Sequence, residues 1–404
     1  MKKTLHLFTD VFPYKGGEPF LETEIQFLSK AFDVVCVYPA SPKNDLIAVP
    51  DNVVVNTLPL NGDVSPRKII AKYWLLLLKW YFNEFVQSPH RFKYIGQFKW
   101  NFYRLIGLIT NAEKVKQHLE SEKAIYIYSY WFNDWGSILA LCKQMGLSSK
   151  IITRTHGYDF DEQQQGRGYH PFRYTELPLF NKIIQVSEYG HRYLKARFNK
   201  STAIATSYLG VIDRGINPLR QPEDKTLRVV SCSNFVPLKR VEMIAEILQH
   251  FQLPYHWTHF GDGIEKAAII KKVHERISPE NVSFKGYVAN KDLMHFYQTE
   301  PVDVFINASY LEGLPVSLME AISFGIPIVG CNICGVPEIV NSTTGVLLER
   351  NFDARNAAMA ITAMLSKSDT ELKNFRSEIR TFWEKKFNAA NNYPQFINQY
   401  LLNQ

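Results

Sequence analysis

Two glutamates eight residues apart, Glu312 and Glu320, stand in the stretch Asn307–Ala321, NASYLEGLPVSLMEA. The stretch directly follows an apolar run, Val302–Ile306, that reads as a strand. Gly313 and Pro315 mark a turn and then a helix start, because proline is favoured in the first helical turn. Glu312 then lies in the turn and Glu320 inside the helix. Free N–H groups and the positive dipole end of a helix N-terminus suit a phosphate. Carboxylates beside it are poor phosphate ligands but good acceptors for sugar hydroxyls. One such unit has the groups to hold a diphosphate and two sugars. The same pattern also suits a capped surface helix with two solvated glutamates.

Apolar periodicity places these residues in an alternating α/β chain. Strands are expected at Thr4–Thr9, Asp33–Tyr38, Val53–Leu58, Ile125–Tyr130, Lys150–Thr155, Lys182–Val186 and Thr202–Leu209. A polar stretch, Asp213–Lys225 (DRGINPLRQPEDK), breaks the pattern and reads as a linker. Strands resume at Leu227–Ser233, His256–Phe260, Val282–Phe284, Val302–Ile306 and Pro327–Gly330. Strand–helix alternation twice over means two doubly wound, Rossmann-like domains with parallel sheets. Ligands in such sheets bind beyond the carboxyl ends of the strands, so two facing domains put a cleft between them. The expected division is 1–215, 216–385 and a returning C-terminal helix, 386–404.

The 404 residues are 46% hydrophobic and 21% charged, too apolar for a disordered chain. Five unevenly spaced cysteines exclude a disulfide-stapled secreted scaffold. Cys331-x2-Cys334 offers two ligands where structural zinc takes four, and there is no second pair. MKKTLHLFTDVF reads as a first strand, not a signal peptide. The longest apolar cluster, Tyr73–Leu78, is far short of the ~20 residues of a spanning helix. These features make a cytoplasmic, soluble or peripheral protein the expectation. The net charge of +7 is uneven: residues 65–110 alone carry eight cations and one anion, Glu84. That segment, expected as a helical insertion between the third and fourth strands, also holds Trp74, Trp80, Phe82, Tyr94, Trp100 and Tyr103. Basic plus aromatic suits an anionic surface such as lipid headgroups on the inner face of a membrane. A protein-partner surface and an ordinary helical hairpin remain alternatives, and no nucleic-acid reading motif accompanies the charge.

Glu312–x7–Glu320, followed by Gly325-Ile326-Pro327 and Gly335-Val336-Pro337-Glu338, resembles the donor-binding block of retaining family-4 glycosyltransferases of the GT-B fold. Further resemblances fall in the family's order. They are Phe12-Pro13 with Gly16-Gly17-Glu18, Arg154 to Asp159 around His156, Val186-Ser187, Leu209-Gly210-Val211, Pro237-Leu238-Lys239-Arg240, Phe260 to Gly263 and Gly286-Tyr287-Val288. The resemblance covers most of the chain except 65–110.

It implies that 1–215 binds the acceptor and 216–385 the nucleotide sugar, and it implies residue roles. Glu312 accepts from the donor sugar, the backbone of Gly313, Leu314 and Val316 faces sugar and phosphates, and Glu320 binds the ribose. Lys239 neutralises the leaving diphosphate, Gly16 and Gly17 let backbone approach it, and Val288 lies near the base. His156 contacts the donor sugar near the reacting carbon, while Glu18 and Asp159 touch the acceptor or orient His156. The family has an arginine five residues before the lysine; here position 234 is Asn234, with Arg240 as the neighbouring cation. No Asp-x-Asp pair follows the donor block, Asp159-Phe160-Asp161 lying elsewhere, so no metal and no cofactor are expected, only a UDP- or GDP-sugar co-substrate. The implied activity is transfer of a hexosyl unit to a glycan acceptor, lipid-linked or not, in surface polysaccharide biosynthesis. Rival readings are a GT-B nucleotide-sugar epimerase and a non-catalytic glycan-binding subunit.

Overall fold

The computed structural model describes residues 2–58, 60, 65–162, 168–198, 203–221 and 223–403. Thr202, where the seventh strand was expected to begin, and Pro222 of the linker lie outside these residues. The chain divides into two compact units, Met1–Tyr208 with Tyr393–Gln404, and Leu209–Asn392.

The first unit holds β1 (Thr4–Thr9), β2 (Val34–Pro39), β3 (Val53–Val55), β4 (Tyr126–Ser129), β5 (Lys150–Thr155), β6 (Lys182–Gln185) and β7 (Ile204–Thr206). The second holds β8 (Leu227–Cys232), β9 (Tyr255–Phe260), β10 (Val282–Gly286), β11 (Val304–Ile306), β12 (Ile328–Cys331) and β13 (Gly345–Leu348). Their orders are β3-β2-β1-β4-β5-β6-β7 and β10-β9-β8-β11-β12-β13, and adjacent strands pair in parallel. Strand order therefore reverses beside β1 in one sheet and beside β8 in the other. A doubly wound sheet opens its ligand crevice at that point, beyond the strands' carboxyl ends. The fold class is the one the alternation predicts. The edge strand β13 was missed, because GVLL is only four residues long and is bounded by no strong turn signal on its far side.

The sequence reading puts the domain break at 215/216 and the return at 385/386; the compact units divide at Tyr208/Leu209 and Asn392/Tyr393. Pairing sets these limits. Val211 N–H donates to Phe387 O at 2.8 Å, and Ala389 N–H to Val211 O at 3.0 Å. Nor is the expected linker loose at Asn217. Asn217 is buried, donates to Tyr297 O and Glu300 O (both 2.7 Å) and accepts from Val302 N–H. Past Asn392 the chain returns to the first unit, where Phe396, Ile397 and Leu401 are buried in one cluster with Leu5, Leu7, Val35, Val37 and Ile152.

The insertion is helical, as Pro66–Gln87, Arg91–Gly96 and Phe98–Ser121. It runs beyond position 110, because Leu105, Ile109, Ala112, Val115 and Leu119 continue a buried stripe at helical spacing. Its aromatics divide. Trp80 and Tyr94 are core residues, a correction to their reading as surface groups, whereas Trp74, Phe82, Phe85, Phe92 and Phe98 are about half exposed or more. Arg67, Lys68, Lys79, Arg91, Lys93 and Lys99 are exposed. Glu84, the one carboxylate of residues 65–110, is fully buried, accepts Phe172 N–H at 2.9 Å, and is pushed by burial up to about 7. No described helix is long and apolar enough to cross a membrane.

Candidate active site

In the second unit the donor-block residues gather past the ends of β8 and β11. The helix Val316–Ser323 has Pro315 as its N-cap and no side-chain cap, so its first N–H groups lack the usual intrahelical partners. Its far end is fixed by Gly325, whose φ of +73° suits glycine. Gly325 N–H bonds Ile322 O and Ile326 N–H bonds Ala321 O, a paired closure that ends the helix sharply. Glu312 lies just before the helix, and its Oε1 accepts from Lys239 Nζ at 2.6 Å, Ser309 Oγ at 2.7 Å and Asn307 Nδ2 at 3.3 Å. Lys239 belongs to the short turn Pro237–Lys239 after β8. Folding thus brings together the cation and the acceptor that the sequence separates by 73 positions.

Glu320, half-buried in the helix, accepts from Asn290 Nδ2 at 2.7 Å. Burial pushes its carboxyl up to about 7, against the pull of Asn290 and Arg214. Gly313, Leu314 and Val316 lie at the same helix entry, Leu314 buried. Gly313 O receives Gly335 N–H at 3.0 Å, which ties the glycine–valine–proline segment to the block. Val288 is half-buried just past β10, and Asn234 is exposed past the end of β8.

Arg240, the cation beside Lys239, is engaged by its own neighbours. Its guanidinium donates to Ala308 O (2.8 Å) and Arg350 O (2.9 Å) and reaches Cys331 Sγ at 3.4 Å. These bonds tie the loop after β11 to the loop after β13 and to Cys331 at the end of β12, where it is a buried neighbour. Among the described residues no group of three metal-ligating side chains occurs.

In the first unit, Gly16 takes φ +74° beside Gly17, where an added Cβ would stand 2.8 Å from Phe12 N. The loop is held by Glu18, whose carboxylate accepts from Asp10 N–H (2.6 Å), Val11 N–H (3.1 Å), Phe12 N–H (2.6 Å) and Trp131 Nε1 (3.0 Å). Glu18 is buried and fully engaged, so it shapes the loop rather than reaching an acceptor.

His156 follows β5, walled by Trp131 and Tyr130 at ring distances of 4.2 and 4.5 Å. Burial lowers its pKa, with Asp159 pulling the other way, so the imidazole is neutral near pH 7. Asp159 receives the N–H groups of His156 (2.8 Å), Gly157 (3.0 Å) and Phe132 (3.1 Å). Burial pushes that carboxyl up, but these donors and the His156 ring outweigh it and hold it below the usual carboxylate range. Asp159 is therefore the residue that fixes the His156 turn. Beneath it lies a buried pair that the sequence reading missed: Arg154 bonds Glu24 and stacks 4.0 Å over Phe396. Trp131 was missed too, although it follows β4, the strand beside β5, where strand-end residues converge. So were Ser309 and Asn307, three and five positions before Glu312.

The family model described as glycosyl transferases group 1 matches residues 216–382. Over 97% of both chains the protein is 23% identical to the amylovoran biosynthesis glycosyltransferase AmsK of Erwinia amylovora. Its fold is similar to that of the lipopolysaccharide outer core galactosyltransferase WaaB (TM-score 0.70, 13% identity, 98% of this chain and 100% of that one). It is also similar to Anabaena Alr3699/HepE in complex with UDP (TM-score 0.67, 15% identity, 98% and 99%). The chain therefore has the two-Rossmann GT-B fold, and its residues 216–382 carry the pattern of the group 1 glycosyl transferases.

Proposed function

We propose that the protein is a retaining glycosyltransferase that moves a hexosyl unit from a nucleotide-diphosphate sugar to a glycan acceptor in surface polysaccharide biosynthesis. The observation that carries this reading is the Lys239–Glu312 pair, 2.6 Å apart beside an uncapped helix N-terminus. A nucleotide sugar presents an anionic diphosphate next to neutral hydroxyls, and this corner offers a cation, free main-chain N–H groups and a carboxylate acceptor together. Cleavage of the glycosyl–phosphate bond adds negative charge to the leaving diphosphate, and stabilising such charge is usually the largest catalytic contribution. Lys239 and the helix end supply that stabilisation without a metal. Glu320 accepts from the ribose. His156, neutral and walled by aromatic rings, is the residue of the first unit assigned to the reacting sugar. The similar Anabaena protein, solved in complex with UDP, supports a UDP-sugar as the first donor to try.

Same-face attack follows from this reading, the departing phosphate helping to take the acceptor proton, so the product keeps the donor's anomeric configuration. The exposed basic and aromatic side of the insertion docks on an anionic membrane surface, where a lipid-linked acceptor would be presented. The test is turnover of UDP- and GDP-sugars with and without glycan acceptors, with the product's anomeric configuration read by NMR. Acceptor-dependent release of nucleotide with a retained linkage supports the proposal. Turnover of the sugar nucleotide to its epimer, no turnover at all, or an inverted product overturns it.

A further inference from the structure

We infer that a cavity of about 410 Å³ in the first unit, lined by Trp100, Arg104, Asp134, Tyr158, Asp159 and His170, binds a neutral saccharide, the end of the acceptor glycan. This rests on the glycosyl-transfer reading above and adds where in the first unit the acceptor sits. The volume falls within the ~300–1,000 Å³ of small-molecule sites.

The lining is matched to a hydroxylated, uncharged ring. Trp100 and Tyr158 are 40% and 41% exposed, and offer aromatic faces on which the apolar C–H face of a pyranose packs. Arg104 and Asp134 form a pair at 2.6 Å, one donating and one accepting toward hydroxyls. His170 supplies the most specific feature. Its Nδ1 lies 3.3 Å from Arg173 Nη2. A guanidinium only donates, so Nδ1 is the acceptor and the proton of the neutral ring sits on Nε2. That ring is 9% exposed, and Nε2 has no hydrogen-bond partner among the described residues. Arg104 Nη1 is in the same state. A buried donor without an acceptor is costly, and both residues that carry one line the cavity a hydroxylated ligand would enter. The charges on the wall also choose the ligand. Arg104 and Arg173 stand against Asp134 and Asp159, leaving no surplus cation to favour a phosphate.

Position ties the cavity to the chemistry. Asp159, which lines it, holds the His156 N–H at 2.8 Å. Tyr158 stacks on Trp131 at 5.1 Å, and Trp131 on His156 at 4.2 Å. Trp100 and Arg104 come from the insertion, so that segment shapes acceptor choice as well as surface charge.

The test probes a printed array of neutral mono- and oligosaccharides with the full chain, wild type and Trp100→Ala, Tyr158→Ala and Leu75→Ala variants. Melting shifts with UDP- and GDP-sugars are measured on the same samples. Wild type and Leu75→Ala should retain at least one glycan. Trp100→Ala and Tyr158→Ala should hold it at least tenfold more weakly, with their nucleotide-sugar melting shifts unchanged. No retained glycan on wild type, or equal retention by all four proteins, overturns the cavity assignment. A nucleotide-sugar shift that survives such a failure leaves the transfer reading standing, whereas absence of that shift removes both.

Discussion

Lys239 Nζ and Glu312 Oε1 stand 2.6 Å apart, with Ser309 Oγ on the same oxygen at 2.7 Å. At rest each charge therefore compensates the other, and neither side chain needs deep burial to stay ordered. A nucleotide sugar gives each a new partner, phosphate for the lysine and hydroxyl for the glutamate. Glu312→Ala should lower kcat/KM about 100-fold or more, roughly 2.7 kcal/mol of transition-state stabilisation. Affinity for the bare nucleotide, measured by calorimetry, should change little. An equal loss of nucleotide affinity would contradict the role given to Glu312.

Chelation gives a separate check on the cation. If Lys239 and the helix end at Pro315 carry the diphosphate's charge, turnover should continue in excess EDTA. Activity that vanishes with EDTA and returns with Mn²⁺ or Mg²⁺ would show that this corner is not sufficient. Lys239→Ala should then fail even with metal added, since its positive charge acts where the leaving group departs.

Glu84 predicts how stability changes with pH. Burial raises its folded-state pKa to about 7 from an ordinary value of 4.5. Its stabilising contribution is thus complete below about pH 4.5 and is lost as pH rises through 7. A rise of this size corresponds to on the order of 3 kcal/mol. Glu84→Gln keeps an oxygen for the Phe172 N–H and cannot ionise. The variant should melt higher than wild type at pH 8 and equal to it near pH 4.5. A melting difference independent of pH would show that Glu84 does not titrate in this range.

The insertion makes a prediction about membranes. Near an anionic leaflet each cation contributes about 1 kcal/mol, fading within a Debye length of ~8 Å at physiological salt. Co-sedimentation with anionic vesicles should be strong at low salt and released at high salt, and neutral vesicles should retain little. Replacing Lys79, Arg91, Lys93 and Lys99 together by Gln should weaken it. Lys72 is left out of this set because it already pairs with Glu113. Indifference of wild type to anionic vesicles at low salt would leave a helical hairpin with solvated lysines.

The sheets were legible because buried parallel strands write themselves as short apolar runs: Thr4–Thr9 and Lys150–Thr155 end where the sequence pattern ends. Glu312, Glu320 and Lys239 were legible through ordered motifs. What stayed hidden depends on contacts distant along the chain. Nothing in the string shows that Arg240 turns to Ala308 and Arg350, or that Glu18 collects three successive N–H groups. Trp80 and Trp74 carry the same chemistry six positions apart, and only the helix's rotation against its neighbours buries one and exposes the other. His170 gave no signal, since its meaning lies in the Arg173 nitrogen beside it.

The return of Tyr393–Gln404 to the first unit bears on the order in which the protein can be made. A ribosome delivers residues 1–208 first, and domains generally fold as they emerge. Here the pocket between β1, β2 and β5 that receives Phe396, Ile397 and Leu401 stays unfilled through the synthesis of the whole second unit. The second unit is one continuous segment and can close before the first is complete. The nascent first unit thus carries an open apolar seam for nearly half of translation. A stop codon before Tyr393 would leave it open for good, and Arg154 would lose the Phe396 ring that now covers its charge.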